Sequence, residues 1–475
     1  MEPWGIGDTN GLMLKNSHHP AFQGQFGIAR TDITPPVGVY SRNWGAAMHD
    51  VADSIHRPLL LTVLTLAQAG QKPSLVFIDA DLGWWKTPRT ATQFRQRLLK
   101  ELALPPENLI FALSHTHSGP PLMDADDSLP GSDLLQVWMD GLFEKTVSTV
   151  RNALADTFAG TMDWQTGRCN LATARDLPDP SGEDRILCGF QPGAEADDTL
   201  LLGRICDDSG SIRATLVNYA CHPTTLGWEN TAISPDYIGA MRETLQKATG
   251  APAFFALGAC GELAPRMQYV GQPEIADQHG RQLGFAALSA LSGMEPPGTQ
   301  LEFSRVVESG ASLAVWKHEV RQMPGSLNAI QTKVELELKD WPTAEELEQE
   351  RLHCTDRALE ERLRRKRDIR SWLGDDSTFQ LEISLWQVGE AIWVGTCCEA
   401  YSILQTELRR HFPEHAIVCM NLINGSIGYL PPAELYEKNP YTVWQTPFAK
   451  GSLERLTEAA LTACQKLIHN NPDIS

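Results

Sequence analysis

The chain has 475 residues, of which 42% are hydrophobic and 21% charged, a composition that excludes disordered and fibrous proteins. Its 59 acidic and 40 basic residues give a formal net charge of −19, which disfavours partners such as nucleic acid and anionic membrane surfaces. Stable membrane insertion is not expected, since no apolar run reaches the roughly 18–20 residues that span a bilayer. Residues 1–20 show no secretory signal, so the ten cysteines predict reduced thiols and a cytoplasmic location.

Residues 1–25 are interpreted as an N-terminal extension, and residues 26–475 as a single domain. Apolar segments of strand length alternate there with helical stretches, which predicts an α/β fold with mixed, partly parallel sheets flanked by helices. The predicted strands are 59–67, 74–82, 109–113, 214–221, 253–257, 392–397 and 416–422. The predicted helices are 87–104, 134–157, 236–249, 273–291, 400–412 and 451–469.

Two regions depart from this alternation. Residues 161–200 are rich in glycine, proline and aspartate, which predicts a long loop. Residues 300–375 are interpreted as an insertion that ends in a charged helix over 343–373. The basic run 362–370 is expected to be the solvated, salt-bridged face of that helix. The helix could cover a site or pair with a second subunit, so oligomerisation stays open.

Polar side chains that follow the predicted strands are the candidate site residues, because open α/β sheets bind ligands beyond the carboxyl ends of their strands. These residues are His115 and His117 after strand 109–113, His222 after 214–221, Glu262 after 253–257, Glu399 after 392–397 and Tyr429 after 416–422. Two histidines at i and i+2 in an extended segment point to the same face. Imidazole and oxygen ligands in this mix suit Zn²⁺.

Each candidate also has an ordinary structural explanation. His222 precedes a proline and could be a hydrogen-bonded core histidine. Glu399 could simply favour the N-terminus of the next helix, and Glu262 could cap its glycine-rich turn. The metal hypothesis is preferred because all the candidates fall at the same end of the predicted strands.

Five strings of residues resemble the catalytic domain of the neutral, non-lysosomal ceramidase family. They are SHTHSGP at 114–120, NYACHPT at 218–224, SPDYIG at 234–239, GACGELAP at 258–265 and GYLPPAELYEKNPY at 428–441. The resemblance implies that zinc is bound by His115, His222, Glu399 and Tyr429. It further implies that His117 orients substrate or water and that Tyr441 contacts the reaction centre. The family's arginine lies in a short Asn-Arg motif that is missing here, and Arg175 is the nearest candidate.

One departure bears on the substrate. The position of the family's active-site serine is occupied by Ala264, so ceramide itself becomes a doubtful substrate. Attack by metal-activated water does not require a serine, and Glu262 or His117 would then act as general base or acid.

The preferred function is therefore a zinc-dependent hydrolase, a ceramidase-like amidase that cleaves an N-acylated small molecule. The alternatives are a true ceramidase that acts on lipid, an ester or lactone hydrolase, and a catalytically inactive metal-binding protein. A further alternative is a thiol hydrolase that uses Cys260 or Cys221 beside His222.

Overall fold

Two β-sheets occupy the middle of the protein, and helices cover their outer faces. The structure, a computed structural model, describes residues 18–72 and 74–469. Most of the predicted extension, residues 1–17, lies outside the described residues, and the first strand already begins at Ala21. The predicted class of fold, with mixed and partly parallel sheets flanked by helices, is confirmed.

The larger sheet has eight strands. From one edge to the other they are Ala253–Leu257, Ile212–Tyr219, Thr199–Asp207, Thr157–Arg168, Ala21–Asp32, Leu60–Ala67, Leu75–Ala80 and Leu109–Leu113. The pair at each edge is parallel and the pairs between them are antiparallel. The smaller sheet contains the strands Leu327–Glu337, Thr378–Val388, Ala391–Gly395 and Ala416–Met420, and its last pair is parallel.

Short strands and helices complete the fold. The two-stranded pairs are Ser54–Ile55 with Ala232–Ile233, Leu263–Pro265 with Ala172–Ala174, Asp176–Pro178 with Ile186–Cys188, Thr299–Glu308 with Ser312–Val320, and Cys398–Ala400 with Gly428–Leu430. The α-helices are Pro88–Leu102, Ser132–Ala155, Tyr237–Thr249, Pro273–Ser292, Ala344–His353, Arg357–Leu373, Ile403–His411, Tyr441–Gln445 and Ser452–His469. The 3₁₀-helices are Pro106–Asn108 and Ala433–Glu437. None of these helices combines the length and apolarity needed to cross a bilayer.

The sheets pack face to face around a shared apolar core. Phe26 and Phe77 of the larger sheet belong to the same buried cluster as Trp386 and Trp393 of the smaller sheet. Separate clusters lie on the two outer faces, where the helices pack. The protein is thus layered as helices, sheet, sheet and helices, which buries both faces of each sheet.

The larger sheet curls until its two edges approach each other. The backbone N–H of Phe255, at one edge, donates to Asp79 Oδ2 near the other edge, at 2.8 Å. The segment after Ala416–Met420 joins both edges, because Asn421 N donates to Leu257 O and Leu422 O accepts from Leu113 N. The curl therefore brings the residues that follow distant strands to one place.

The prediction of a loop over 161–200 is wrong for residues 161–168, which belong to the strand Thr157–Arg168. Residues 157–163 of this strand pair with Ala21–Asp32 and residues 160–168 pair with Thr199–Asp207, so the strand lies inside the sheet. Its Asp163, a residue typical of loops, is buried but neutralised by a two-point contact with Arg204. Tertiary pairing overrides the local composition here.

The range 300–375 also differs from its prediction. The single charged helix is two helices, because Cys354 ends the first and Asp356 caps the second by accepting from Leu359 N at 2.7 Å. The strand Leu327–Glu337 belongs to the smaller sheet itself. Within the predicted insertion, the elements outside the two sheets are the hairpin at 299–320 and the two helices.

Candidate metal and active site

Three of the predicted metal ligands meet at one point. His115, His222 and Glu399 are buried, and their potential ligand atoms all lie within 4.8 Å of one another. Glu399 Oε2 is 3.2 Å from His115 Nε2 and 3.0 Å from His222 Nε2. The curl of the larger sheet explains the convergence, since the two histidines follow strands near its opposite edges.

Backbone carbonyls fix the tautomers of the two histidines. His222 Nδ1 lies 2.7 Å from Cys260 O, and His115 Nδ1 lies 3.3 Å from Gly83 O. A carbonyl can only accept, so each Nδ1 carries a proton, and in the neutral form of each ring Nε2 presents its lone pair. Hydrogen bonds of this kind orient metal-binding imidazoles in proteins.

The centre fits a divalent cation. Burial, followed by the charge of Arg175, lowers the pKa of His222 to about 3, so the imidazole is neutral near pH 7. The neutral Nε2 of His222 and a carboxylate oxygen of Glu399 are acceptors 3.0 Å apart, and His115 Nε2 lies 3.2 Å from the same oxygen, so a cation among the three atoms would relieve the repulsion. Two imidazoles and a carboxylate are a ligand set that Zn²⁺ accepts in catalytic sites.

His115 adopts a left-handed backbone conformation with φ 71°. The prediction of an extended backbone through the HTH segment is therefore wrong at His115. The rings of His115 and His117 are nevertheless in contact, with centroids 4.8 Å apart. A non-glycine residue in this conformation costs about 1–3 kcal/mol and is typical of functional sites. The turn aims the imidazole of His115 at Glu399.

The SPDYIG string holds both histidine loops in place, a role that the sequence did not reveal. Thr116 Oγ1 donates to Ser234 O at 2.6 Å, which braces the loop between the two histidines of the HTH string. The hydroxyl of Tyr237 donates to Cys221 O at 2.6 Å, immediately before His222.

Tyr429, the fourth predicted ligand, lies beside Glu399. The two residues are paired in register on the parallel strands Cys398–Ala400 and Gly428–Leu430. Burial and the negative charge of Glu399 raise the pKa of Tyr429 well above its usual value, so the phenol keeps its proton. The structure thus places a neutral phenol next to the three-residue centre.

Arg175, the candidate for the family's arginine, lies beside His222 and Tyr429. Its Nη2 donates to Gly261 O at 2.8 Å and lies 3.1 Å from His222 Nε2 and 3.4 Å from the Tyr429 hydroxyl. The side chain is buried. The glycine-rich turn therefore serves the site through backbone carbonyls, since Cys260 O holds His222 and Gly261 O holds Arg175.

Glu262 has a different environment. Its two carboxylate oxygens accept from Ser402 N at 2.9 and 3.0 Å, and it also accepts from the Ser402 hydroxyl, next to the start of the helix Ile403–His411. Burial raises its pKa to about 7. The structure places Glu262 at a helix N-terminus, apart from the residues of the cavity wall.

A cavity of 430 Å³, in the usual size range for small-molecule sites, opens beside the centre. It is lined by Asn43, Trp44, Gly45, Ala46, Trp84, His117, Arg175, Cys188, Thr224, Trp228, Tyr269, Ala358, Glu361, Arg362, Arg365, Tyr429 and Tyr441. His117 lies between Trp44 and Trp84, with ring centroids 4.8 and 4.7 Å away, and neither of its ring nitrogens has a partner within the described residues. Burial lowers the pKa of His117 well below its usual value, so the ring is a neutral group that can exchange hydrogen bonds with a ligand.

One wall of the cavity comes from the helix Arg357–Leu373, here called the arginine helix. Arg362 and Arg365 line the cavity, so the prediction of a wholly solvated basic face is wrong at these two positions. Arg365 Nη1 donates to the hydroxyl of Tyr441 at 3.3 Å. The sequence could not show this contact, because the helix packs against a segment 76 residues away.

The thiol alternative loses its support in the structure. Cys221 and Cys260 are fully buried, and burial raises the pKa of both thiols well above its usual value. His222 contacts Cys260 through the backbone carbonyl. A reactive cysteine requires a lowered pKa and access to substrate, and neither condition is met.

Two of the solved structures that resemble this chain are ceramidases. A ceramidase complexed with C2 superposes with a TM-score of 0.66 at 15% sequence identity, covering 96% of this chain and 76% of the other. The neutral ceramidase from Pseudomonas aeruginosa superposes with a TM-score of 0.63 at 16% identity, covering 95% and 75% of the two chains. The chain has the neutral ceramidase fold. No protein-family model and no curated protein sequence matches it.

The ceramidase fold confirms the architecture that the sequence motifs implied. Ala264, at the position of the family's serine, is buried in the short strand Leu263–Pro265, which pairs with Ala172–Ala174. Its backbone oxygen accepts from the Thr173 hydroxyl at 2.9 Å. The position has a structural role as part of a paired strand.

Proposed function

We propose that this protein is a zinc-dependent hydrolase that cleaves the amide bond of an N-acylated small molecule, with water as the nucleophile. The observation that carries the proposal is the convergence of His115, His222 and Glu399 beside an aromatic cavity, with both imidazoles held in the tautomer that metal binding requires. Tyr429 is the proposed fourth ligand, since it lies in register with Glu399. The ceramidase fold supports the same class of reaction.

The chemistry that Zn²⁺ supplies in such sites is Lewis acidity toward a carbonyl oxygen and activation of water. The chain's own residues bind and orient the substrate. The Tyr441 hydroxyl accepts from Arg365, which leaves its proton free for a substrate oxygen. Arg175 also lines the cavity and contributes a positive charge there. Preorganised donors of this kind stabilise the oxyanion of acyl transfer.

His117 is the proposed group for proton transfer. It is neutral near pH 7, lines the cavity and has both ring nitrogens available. Glu262 was the other candidate from the sequence, but both of its oxygens bind Ser402. We therefore assign Glu262 a structural role and His117 the role of general base or acid.

Hydrolysis of a ceramide-like N-acyl lipid is the second candidate, favoured by the ceramidase fold alone. An ester or lactone would react by the same chemistry. We further propose that residues 26–475 form one catalytic domain and that it works in the cytoplasm. The unpaired state of all ten cysteines supports a reducing compartment.

The deciding experiment is metal analysis of the purified protein by plasma mass spectrometry. We expect about one zinc per chain in the wild type and its loss in His115→Ala, together with loss of chelator-sensitive hydrolysis of N-acyl amides. His353→Ala is the matched control, because His353 is an exposed histidine remote from the centre. A wild type that takes up no metal after reconstitution with zinc would refute the proposal.

A further inference from the structure

The cavity wall is strongly cationic in a protein whose overall charge is −19. Three guanidinium groups line it: those of Arg175, Arg362 and Arg365. Among the lining residues, the one carboxylate is that of Glu361. Glu361 is already paired on its other side, 3.5 Å from Lys86 Nζ and 3.8 Å from Arg42 Nε. The positive charge facing the cavity is therefore not neutralised by its own wall.

Arg362 and Arg365 differ from their neighbours on the arginine helix. Arg364 pairs with Glu360 at 3.0 Å, and Arg367 pairs with Glu348 at 2.5 Å. Over residues 18–72 and 74–469, by contrast, no ion pair joins Arg362 or Arg365 to a carboxylate. The two unpaired arginines are the two that face the cavity.

Aromatic rings hold these two guanidinium groups in place. Arg365 lies over the ring of Trp84, 5.1 Å from its centroid, and Arg362 lies over the ring of Trp444 at 4.1 Å. Stacking of this kind orients a guanidinium without using its N–H donors. Arg362 Nε is buried and has no acceptor within the described part of the chain.

The cavity walls hold further unused donors. The indole N–H groups of Trp44 and Trp84 are buried, and no described residue accepts from either of them. Buried donors without acceptors cost free energy, and these two lie where a ligand in the cavity could satisfy them. A ligand rich in acceptor atoms and negative in charge would satisfy both the indoles and the guanidinium groups.

We propose that the substrate carries an anionic group, a carboxylate, which Arg362 and Arg365 bind while the scissile amide lies toward His117 and Arg175. This inference rests on the proposed function in taking the cavity as the substrate site, and it narrows the substrate class to N-acyl compounds that bear a carboxylate, such as N-acylated amino acids. Guanidinium groups recognise carboxylates through paired, charge-assisted hydrogen bonds. A neutral ceramide-like lipid offers no such group.

The test measures binding apart from turnover. Calorimetry compares phenylacetate with phenylacetamide, which differ in charge but not in shape, on the zinc-reconstituted protein. We expect phenylacetate to bind at least about tenfold more tightly, and Arg362→Gln or Arg365→Gln to remove that preference while phenylacetamide binding changes little. Arg367→Gln is the matched control, since it removes the same charge from the outer side of the same helix and should leave the preference intact.

Salt dependence of the wild type provides a measurement that needs no variant. Raising the ionic strength should weaken phenylacetate binding and leave phenylacetamide binding unchanged. Equal binding of the two probes, or a preference for phenylacetate that survives both cavity substitutions, would overturn the inference. Selective phenylacetate binding without hydrolysis of any amide would instead uphold the anion site and refute the proposed hydrolase.

Discussion

Glu399 and Tyr429 are direct partners across two short parallel strands, so the carboxylate and the phenol leave the ladder side by side. Glu399 Oε2 also lies 3.0 Å from His222 Nε2, a second acceptor. The strand pairing thus places the carboxylate of Glu399 beside the imidazoles and the neutral phenol of Tyr429 beside that carboxylate. This relationship makes the effect of Glu399 on stability depend on whether metal is bound.

The effect of Glu399→Gln on the free energy of unfolding should change sign between the metal-free and the zinc-bound protein. In chelator-treated protein, the free energy of unfolding of the variant should equal that of the wild type or exceed it by about 1 kcal/mol. The reason is that the amide N–H of glutamine can donate to an imidazole lone pair. With zinc the order should invert, since a carboxylate is the stronger ligand. Urea denaturation with and without zinc measures both differences. A wild type that is the more stable form under both conditions would argue against a metal centre.

Tyr441→Phe should slow catalysis and leave the metal content unchanged. The variant loses the hydroxyl whose proton is free because Arg365 donates to its oxygen. We expect kcat to fall about 100- to 1000-fold, as for loss of one oxyanion donor. Tyr436→Phe is the control, since the hydroxyl of Tyr436 donates to Phe448 O at 3.0 Å and Tyr436 is not among the residues of the cavity wall. Equal loss of activity in both variants would remove the assigned role of Tyr441.

Glu262→Gln should change the pH dependence of stability more than it changes activity. Burial raises the pKa of Glu262 from 4.5 to about 7, so the folded protein keeps a proton that the unfolded chain releases. This carboxyl therefore lowers the free energy of unfolding as the pH rises from 4.5 to 7, by at most about 3 kcal/mol. The variant should lack that fall, which denaturation at pH 5 and pH 8 would show. Activity reduced by several orders of magnitude would instead restore Glu262 as the catalytic base.

Arg242→Met should destabilise the fold strongly. Arg242 is buried and binds two buried carboxylates, at 2.7 Å from Asp79 Oδ2 and 2.5 Å from Asp81 Oδ2. Removing the cation leaves both carboxylates unpaired, which should lower the free energy of unfolding by about 3–5 kcal/mol. The exposed pair of Arg213 and Asp207 provides a control, because Arg213→Met should cost less than about 1 kcal/mol. Similar effects of the two substitutions would contradict this account.

Much of the local structure follows from short-range signals. The strands Leu109–Leu113 and Ala253–Leu257 have the predicted bounds, because each is a continuous apolar run bounded by polar or turn residues. Thr87 caps the helix Pro88–Leu102, with its side chain accepting from Thr90 N. The strand Thr157–Arg168 was missed, since its glycines and Asp163 are tolerated only through pairing on both sides.

The candidate site was likewise only partly predictable from the sequence. Residue type and position after a strand were enough to select His115, His222, Glu399 and Tyr429, and the family resemblance added Tyr441. Neither could show that Glu262 binds Ser402 or that Arg362 and Arg365 form a wall of the cavity. Those outcomes depend on contacts between segments far apart in the chain.

The class of fold and the candidate ligands could be predicted from the chain alone, because apolar periodicity and the polar residues after each strand are local properties. Which of those candidates meet depends on long-range packing. The curl of the larger sheet brings its two edges together, and with them His115 and His222, through hydrogen bonds between residues over 150 positions apart. The same long-range packing placed a charged helix over the cavity, and so set the charge that a substrate encounters there.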